Sequence, residues 1–166
     1  MEITILSGKG GTGKTTVATN LALSLSNVQF LDADVEEPNS YIFIDPDFTD
    51  ASQTVWREVP VIDQQQCNEC QECVDFCQYN ALALFGDQVM VFPELCHSCG
   101  GCKHICPEGA ITEKQVKAGE IKSALDDQLE FWQGELKIGE ISAVPVIEDL
   151  KEEGLIEKIE DYEHSV

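Results

Sequence analysis

Two cysteine runs constrain this chain more than any other feature of its sequence. The first run is Cys67, Cys70, Cys73 and Cys77, and the second is Cys96, Cys99, Cys102 and Cys106. Together they contain all eight cysteines, and the second run repeats the spacing of the first with an offset of 29 residues. The repeat extends beyond the cysteines, because Ala81-Leu82 aligns with Ala110-Ile111. The sequence therefore contains an internal duplication in which each half supplies four thiols.

The spacing within each run favours an iron–sulfur cluster. Three cysteines separated by two residues each can surround one corner of a cubane, while the fourth points away from it. Two other interpretations remain open. Zinc sites favour two separated CxxC pairs that close one tetrahedron, and disulfides are typical of short secreted chains. For His97 and His104 we expect a solvated or supporting role, because eight thiols already fill two clusters.

The runs resemble those of bacterial ferredoxins with two [4Fe–4S] clusters. In that family the fourth cysteine of each run binds the other cluster. The resemblance implies one cluster held by Cys67, Cys70, Cys73 and Cys106, and another held by Cys77, Cys96, Cys99 and Cys102. The second run ends in Cys106-Pro107, as in the family, whereas Gln78 follows Cys77 in the first. We expect the cluster beside Gln78 to be more exposed.

A second motif opens the chain. Residues 2–7 form a β-branched run that predicts a strand, and residues 16–25 predict a helix. Between them lies a G-x4-G-K-T loop, in which we expect nucleotide to contact Gly8, Lys9, Gly10, Gly11, Thr12, Gly13, Lys14, Thr15 and Thr16. Lys14 would lie along the β and γ phosphates, and the Thr15 hydroxyl would coordinate Mg²⁺. The alternative is a glycine loop that only turns the chain.

The loop resembles the deviant Walker A motif of the MinD/ParA class of P-loop ATPases. The resemblance implies that Lys9 reaches across a nucleotide-bridged dimer to the phosphates of the partner. It also implies a catalytic set of Lys9, Lys14 and Asp34, in which Asp34 follows a second strand at residues 28–31. Asp34 would orient the attacking water or contact Mg²⁺. It could equally be an ordinary acidic residue at the end of a strand.

Residues 32–39, 131–139 and 144–147, together with the cysteine runs, resemble segments of MinD-superfamily ATPases that carry an inserted ferredoxin domain. The resemblance covers nearly the whole chain. The implied fold class is α/β plus α+β, a partial P-loop NTPase with a parallel sheet and a ferredoxin-like insertion. We expect the ATPase domain over residues 1–59, the ferredoxin domain over 60–114 and a return to the ATPase domain over 115–166. That return should contain a strand pair within residues 119–139. A helix should follow over 142–153, with Ser142 as its cap and Gly154 as its stop.

Members of the class continue into a switch II strand and further βα units, which do not follow Val166 here. We therefore expect a truncated form, or an ATPase completed by another polypeptide. Nucleotide binding by this chain alone should be weak, and the missing switch II argues against hydrolysis.

The formal net charge of −21 restricts the partners of this chain. Nucleic acids and anionic membranes require basic surface, so neither is expected to bind. Redox proteins with basic patches are the expected partners, together with a second copy or a complementing ATPase chain. Negative charge near a cluster also lowers its reduction potential. We expect a cytoplasmic protein without a membrane span.

Three functions are compatible with these motifs. The first is an ATP-binding iron–sulfur protein in which nucleotide state controls low-potential electron transfer. The second is a simple ferredoxin-type electron carrier with a vestigial P-loop. The third is an iron–sulfur assembly or carrier ATPase, against which the interlocked ligand sets argue, because a cluster that is handed on needs labile ligands.

Overall fold

The computed structural model describes residues 2–48, 52–125, 129–155 and 164–165 of the chain. In chain order the elements are α1 (Lys14–Ser24), β1 (Val28–Asp32), α2 (Tyr41–Ile44), β2 (Ser52–Ile62), α3 (Glu72–Phe76), β3 (Leu82–Phe85), β4 (Gln88–Val91), a 3-10 turn (Pro93–Leu95), α4 (Gly101–Ile105), β5 (Ile111–Leu125), β6 (Leu129–Leu136), α5 (Val144–Leu155) and β7 (His164–Ser165). The chain divides into two compact units. Unit 1 comprises residues 1–55, 119–137 and 143–166, and unit 2 comprises residues 56–118 and 138–142.

Unit 1 contains a mixed sheet in which β6 lies between β5 and β1. Strand β6 pairs in parallel with β1 and antiparallel with β5, and β1 also pairs in parallel with β7. Phe30 and Phe131 face each other in this register and stack with ring centroids 5.5 Å apart. Both rings are buried with Val28 and Ala22. The predicted helix, the second strand and the strand pair within residues 119–139 are thereby confirmed.

The strand predicted at residues 2–7 is wrong. Only Glu2 makes an isolated bridge, residues 3–7 belong to no strand, and Leu6 is 85% exposed. A parallel strand needs a free edge on its neighbour. Here one edge of β1 is taken by β6 and part of the other by β7. The β-branched composition of residues 2–7 therefore finds no complete edge on β1 to pair with.

The predicted ends of the last helix also need correction. Helix α5 spans Val144–Leu155, so Ser142 lies before its cap and Gly154 lies inside it. A Cβ atom on Gly154 would approach Leu31 Cδ2 to 3.0 Å. The Gly154 carbonyl also accepts a hydrogen bond from the buried side chain of Gln29. Glycine at this position permits close packing of α5 on β1 and does not terminate the helix.

The backbone of unit 2 repeats at the same offset as the cysteine runs. Helix α4 follows helix α3 at the offset of the cysteine runs, and both helices contain five residues. Left-handed backbone angles recur at the same offset in Glu69 and Ser98, Gln71 and Gly100, and Asn80 and Gly109. Cys73 and Cys102, each 8% exposed, share a core with Leu82, Val89 and Ile111. The two halves therefore share local geometry as well as cysteine spacing.

The division between the units falls within β2, between Val55 and Trp56, and within β5, between Ala118 and Gly119. The predicted ferredoxin domain, residues 60–114, lies inside the longer segment of unit 2. Residues 138–142 also belong to unit 2 although the sequence assigns them to the returning ATPase domain. The functional domain boundaries remain a prediction.

Replacing Gly119 with alanine tests the packing of unit 1. An added Cβ would meet the Glu135 backbone oxygen and lie 2.6 Å from Val146 Cγ2. Neither group can swing away easily, since one is backbone and the other is a buried β-branched side chain. We expect Gly119→Ala to reduce the free energy of unfolding by about 1–3 kcal/mol. Urea unfolding followed by far-ultraviolet circular dichroism measures this as a lower midpoint.

Gly10→Ala is the matched control, because a Cβ atom there meets nothing within 4 Å. Its unfolding free energy should stay within about 0.5 kcal/mol of the parent protein. An unchanged midpoint for Gly119→Ala would show that β5 and β6 are not packed as described.

Candidate nucleotide and iron–sulfur sites

The glycine loop leads directly into helix α1. Gly11 and Gly13 have φ values of 72° and 90°, in the left-handed region that favours glycine. Gly13 is the residue before the helix, and its carbonyl accepts the first intrahelical bond, from the amide of Val17. The amides of Lys14, Thr15 and Thr16 therefore have no partner within the helix. Such a helix end attracts phosphate through these free amides and the helix dipole.

Asp34 lies beside Lys14. Its carboxylate oxygen is 3.9 Å from Lys14 Nζ, and the two side chains are 43% and 36% exposed. The buried Asp32 carboxylate holds Asp34 in this position. It accepts hydrogen bonds from the amides of Asp34 and Ser40, both 3.1 Å long. These bonds turn the chain sharply after β1. Since a half-exposed ion pair contributes little stability, Lys14 can exchange Asp34 for a phosphate at small cost.

A cavity of about 420 Å³ borders Lys14, Thr15, Asp34 and the irregular segment 2–7. The structure thus brings together three of the predicted nucleotide-site residues. Residues 8–13, including Lys9, do not line this cavity, and Lys9 is exposed. The roles of Lys9 and Asp34 in catalysis remain predictions.

The eight cysteines of unit 2 border two cavities. A narrow cleft is lined by Cys67, Cys70, Cys73 and Cys106. A wider cavity of about 510 Å³ is lined by Cys77, Cys96, Cys99 and Cys102. Each cavity takes three cysteines from one run and one from the other. We call these the first and second thiol sets. In number and chemistry of donors, each set fits a cubane cluster.

The pKa values of the buried thiols of Cys73 and Cys102 are affected by other cysteines of the same thiol set. Burial raises the pKa of Cys102 to about 11, opposed by a backbone hydrogen bond, and the charges of Cys96 and Cys99 raise it further. Burial likewise raises the pKa of Cys73, which also responds to Cys106 and Cys67. Because cluster ligands must be thiolates, iron binding has to displace these protons.

Backbone amides support the sulfur atoms at equivalent places in both halves. The amide of Ala81 donates to Cys77 Sγ at 3.4 Å, and the amide of Ala110 donates to Cys106 Sγ at 3.3 Å. In the second thiol set the amide of Ser98 also donates to Cys96 Sγ at 3.4 Å. Hydrogen bonds to ligand sulfurs withdraw negative charge and are one determinant of cluster potential.

The two histidines near the cysteines differ in their surroundings. His97 borders the wider cavity and stacks on Tyr79 with ring centroids 3.7 Å apart, whereas His104 is exposed on α4. Among the described residues, no three His, Cys, Asp or Glu side chains converge closely enough to hold a single metal ion. The cysteines surround cavities instead of one point.

One buried residue of unit 2 was not predicted from the sequence as a functional residue. Arg57, on β2, donates hydrogen bonds to the carbonyl of Cys96 and to the Ser98 hydroxyl. The only hint in the sequence is an arginine within the largely β-branched stretch of residues 54–62, where a buried charge is expected to be paired.

The family of the chain follows from comparison with known proteins. Residues 3–164 match the model of the CobQ/CobB/MinD/ParA nucleotide binding domain. The chain therefore belongs to this family, which confirms the resemblance and the fold class deduced from its motifs.

Relatives of two kinds match the chain. Uncharacterized protein MJ0578 of Methanocaldococcus jannaschii is 34% identical over 91% of this chain and 54% of its own length. Uncharacterized protein MJ0579 of the same organism is 28% identical over 96% of this chain and 58% of its own length. The chain thus spans somewhat more than half the length of these relatives. Uncharacterized ferredoxin MJ0199 is 42% identical over 30% of this chain and 86% of its own length.

These similarities define the chain coarsely. It combines a nucleotide-binding domain with a ferredoxin-like segment, as expected of an ATP-binding protein associated with iron–sulfur clusters. No helix in the described part of the chain is long and apolar enough to cross a membrane.

Alkylation of the metal-free protein tests the two thiol sets. Cys70 and Cys99 are exposed, whereas Cys73 and Cys102 are each 8% exposed. Since only the thiolate reacts, iodoacetamide should modify Cys70 and Cys99 first. Labelling of Cys102 should be slow at mildly alkaline pH and accelerate until the pH reaches about 11, the raised pKa of its thiol. Peptide mass spectrometry over time resolves the four rates.

The same experiment in denaturant supplies the control, because unfolding should equalise the rates. Equal labelling of all eight cysteines under native conditions would contradict the described burial.

Proposed function

We propose that this chain binds ATP·Mg²⁺ in unit 1 and two [4Fe–4S] clusters in unit 2, and that nucleotide state is coupled to low-potential electron transfer. The observation that carries the proposal is the presence in one chain of two four-thiol cavities and a glycine loop that opens a helix beside Lys14 and Asp34. The proposal divides the chain functionally into ATPase residues 1–59 and 115–166 and ferredoxin residues 60–114.

In unit 1 the amides at the start of α1 would bind the phosphates, and Lys14 would leave Asp34 to neutralise their charge. The hydroxyl of Thr15 would contribute to the Mg²⁺ site, with Asp34 or a water that it orients nearby. The exposed position of Lys9 is compatible with a role toward a second copy of the chain. These assignments rest on the family and on the local geometry of the loop.

In unit 2 the first and second thiol sets would each hold one cluster, which when bound supplies a one-electron redox centre. Around them the chain excludes water with Leu82, Val89 and Ile111, and donates amide hydrogen bonds to sulfur. The net charge of −21 disfavours the addition of an electron, which supports potentials near or below about −400 mV. It also favours redox partners with basic patches over nucleic acid, and the eight free cysteines favour a cytoplasmic setting.

A simple electron carrier with an inactive P-loop is the second candidate. It is favoured by the irregular segment 2–7 and by the separation of residues 8–13 from the cavity beside Lys14. Binding of nucleotide distinguishes the two candidates, because only the first requires it.

Calorimetric titration of ATP·Mg²⁺ into the anaerobically reconstituted protein tests the proposal. We expect saturable binding that Lys14→Ala weakens at least about tenfold, because a charged hydrogen bond to phosphate contributes roughly 1.5–3 kcal/mol. Lys151→Ala is the matched control, since Lys151 is exposed on α5 in the same unit and its loss changes the charge equally.

Iron and sulfide content measured on the same samples reports the second half of the proposal, with about eight irons per chain expected for two cubanes. The absence of binding heat in protein with both clusters intact would favour the simple electron carrier. Equal weakening by both lysine variants would indicate a general charge effect and would count against the site at Lys14.

A further inference from the structure

Arg57 is a buried cation that donates hydrogen bonds to the loop of the second thiol set. Its Nη1 atom donates to the Cys96 carbonyl at 3.1 Å and to the Ser98 hydroxyl at 3.3 Å, and Nη2 donates to the Pro93 carbonyl at 2.9 Å. Ser98 in turn donates its amide to Cys96 Sγ. The guanidinium therefore holds the loop that carries one ligand of the second thiol set.

Glu140 balances this cation from the opposite side. Its Oε2 atom accepts a hydrogen bond from Arg57 Nε at 2.7 Å, and the two side chains are only 4% and 5% exposed. The other oxygen accepts the amides of Ile141 and Ser142. Because Nε faces Glu140 while the Nη atoms face the loop, the positive end of the pair points toward Cys96.

The first thiol set has a different environment at the matching positions of the duplication. Gln64 stands where Pro93 stands, and its neutral amide pairs with the backbone of Val89 at 2.8 and 3.4 Å. Glu69 stands where Ser98 stands. Nearby, Asn68 donates to Glu108 at 2.9 Å. The matching stretch of the first set therefore carries a carboxylate where the second set carries a hydroxyl bound to a guanidinium.

A charge affects the potential of a nearby redox centre more strongly when it is buried than when it lies at the protein surface. A buried cation interacts strongly with a nearby redox centre because little water screens it. By contrast, Lys103 also lies next to a ligand of the second set, but it is exposed and paired with Glu113 at 2.6 Å. Solvent screens Lys103, and Glu113, which is 16% exposed and borders the second cavity, neutralises it, so the pair has a small net effect on a cluster.

We propose that Arg57 raises the reduction potential of the cluster held by Cys77, Cys96, Cys99 and Cys102, opposing the carboxylates of Glu58, Asp75 and Glu113 that line the same cavity. The inference rests on the proposed function, since it requires both clusters. A cluster bound by either thiol set would take up one electron from a low-potential one-electron donor, and no covalent bond would be formed or broken. Arg57 is a positioning and tuning residue for the cluster of the second thiol set, because it holds the loop of Cys96 and places a buried positive charge beside it.

Two variants with opposite expected effects test this role. Arg57→Met removes the cation and leaves Glu140 buried, so one of the two midpoint potentials should fall. Glu140→Gln leaves the cation uncompensated, so the same midpoint should rise. We expect the ratio of reduced to oxidised cluster at fixed potential to change by about tenfold in each case, equivalent to 59 mV for one electron. Redox titration monitored by electron paramagnetic resonance measures both midpoints.

A loss of structure alone cannot produce shifts of opposite sign. Arg57→Lys retains the charge but loses the forked hydrogen bonds, so its midpoint should stay near that of the parent even if the loop loosens. Lys151→Met, which removes an exposed cation from α5, is the surface control and should change neither midpoint appreciably. The responding signal should be the one altered by Cys99→Ser and not the one altered by Cys70→Ser.

The outcomes separate this inference from the function on which it rests. A parent protein that fails to bind two clusters would overturn the proposed function itself. With both clusters present, shifts of the same sign in Arg57→Met and Glu140→Gln, or no shift in either, would overturn the role of Arg57. If Arg57→Met does not fold, a fall or no change in the Glu140→Gln midpoint overturns that role on its own.

Discussion

The pairing of each cysteine triplet with the last cysteine of the other run is the constraint on which unit 2 depends. Cys106 borders the cavity of the first triplet and Cys77 borders that of the second, so neither half encloses a complete donor set. The equivalent helices, left-handed turns and amide–sulfur bonds of the two halves follow from this shared geometry. Burial raises the pKa of both Cys73 and Cys102, so a cluster bound there would have to displace their protons, which would link cluster binding to the folded arrangement.

In unit 1 the buried carboxylate of Asp32 fixes the conformation of the segment after β1. Asp32 binds two backbone amides and so holds Asp34 within reach of Lys14. The same turn leaves the start of α1 open to an anion. In the proposed function, phosphate replaces Asp34 as the partner of Lys14. Coupling to the clusters would then be reciprocal, because a change in cluster potential on nucleotide binding requires an equal change in nucleotide affinity on reduction.

Local patterns predicted a large part of this architecture. The cysteine spacing indicated the repeat, and the glycine loop indicated a helix start, because both signals lie within a few residues of the structure they specify. Features that depend on contacts between distant residues were not predicted from the sequence. Residues 2–7 have strand composition, but composition does not reveal that β6 occupies one edge of β1 and β7 part of the other. The sequence predicts Gly154 as a helix stop, whereas in the structure a glycine is favoured there because a larger residue would crowd Leu31. The Arg57–Glu140 pair joins residues 83 positions apart, and no periodicity marks it.

The proposed function requires that nucleotide binding and cluster reduction affect one another in this chain. Its most direct test is a redox titration of the reconstituted protein, monitored by electron paramagnetic resonance, with and without saturating ATP·Mg²⁺. Nucleotide is expected to shift at least one cluster midpoint in the parent protein and to leave both midpoints unchanged in Lys14→Ala. Identical midpoints in the presence of demonstrably bound nucleotide would contradict it and would leave two independent activities on a single chain.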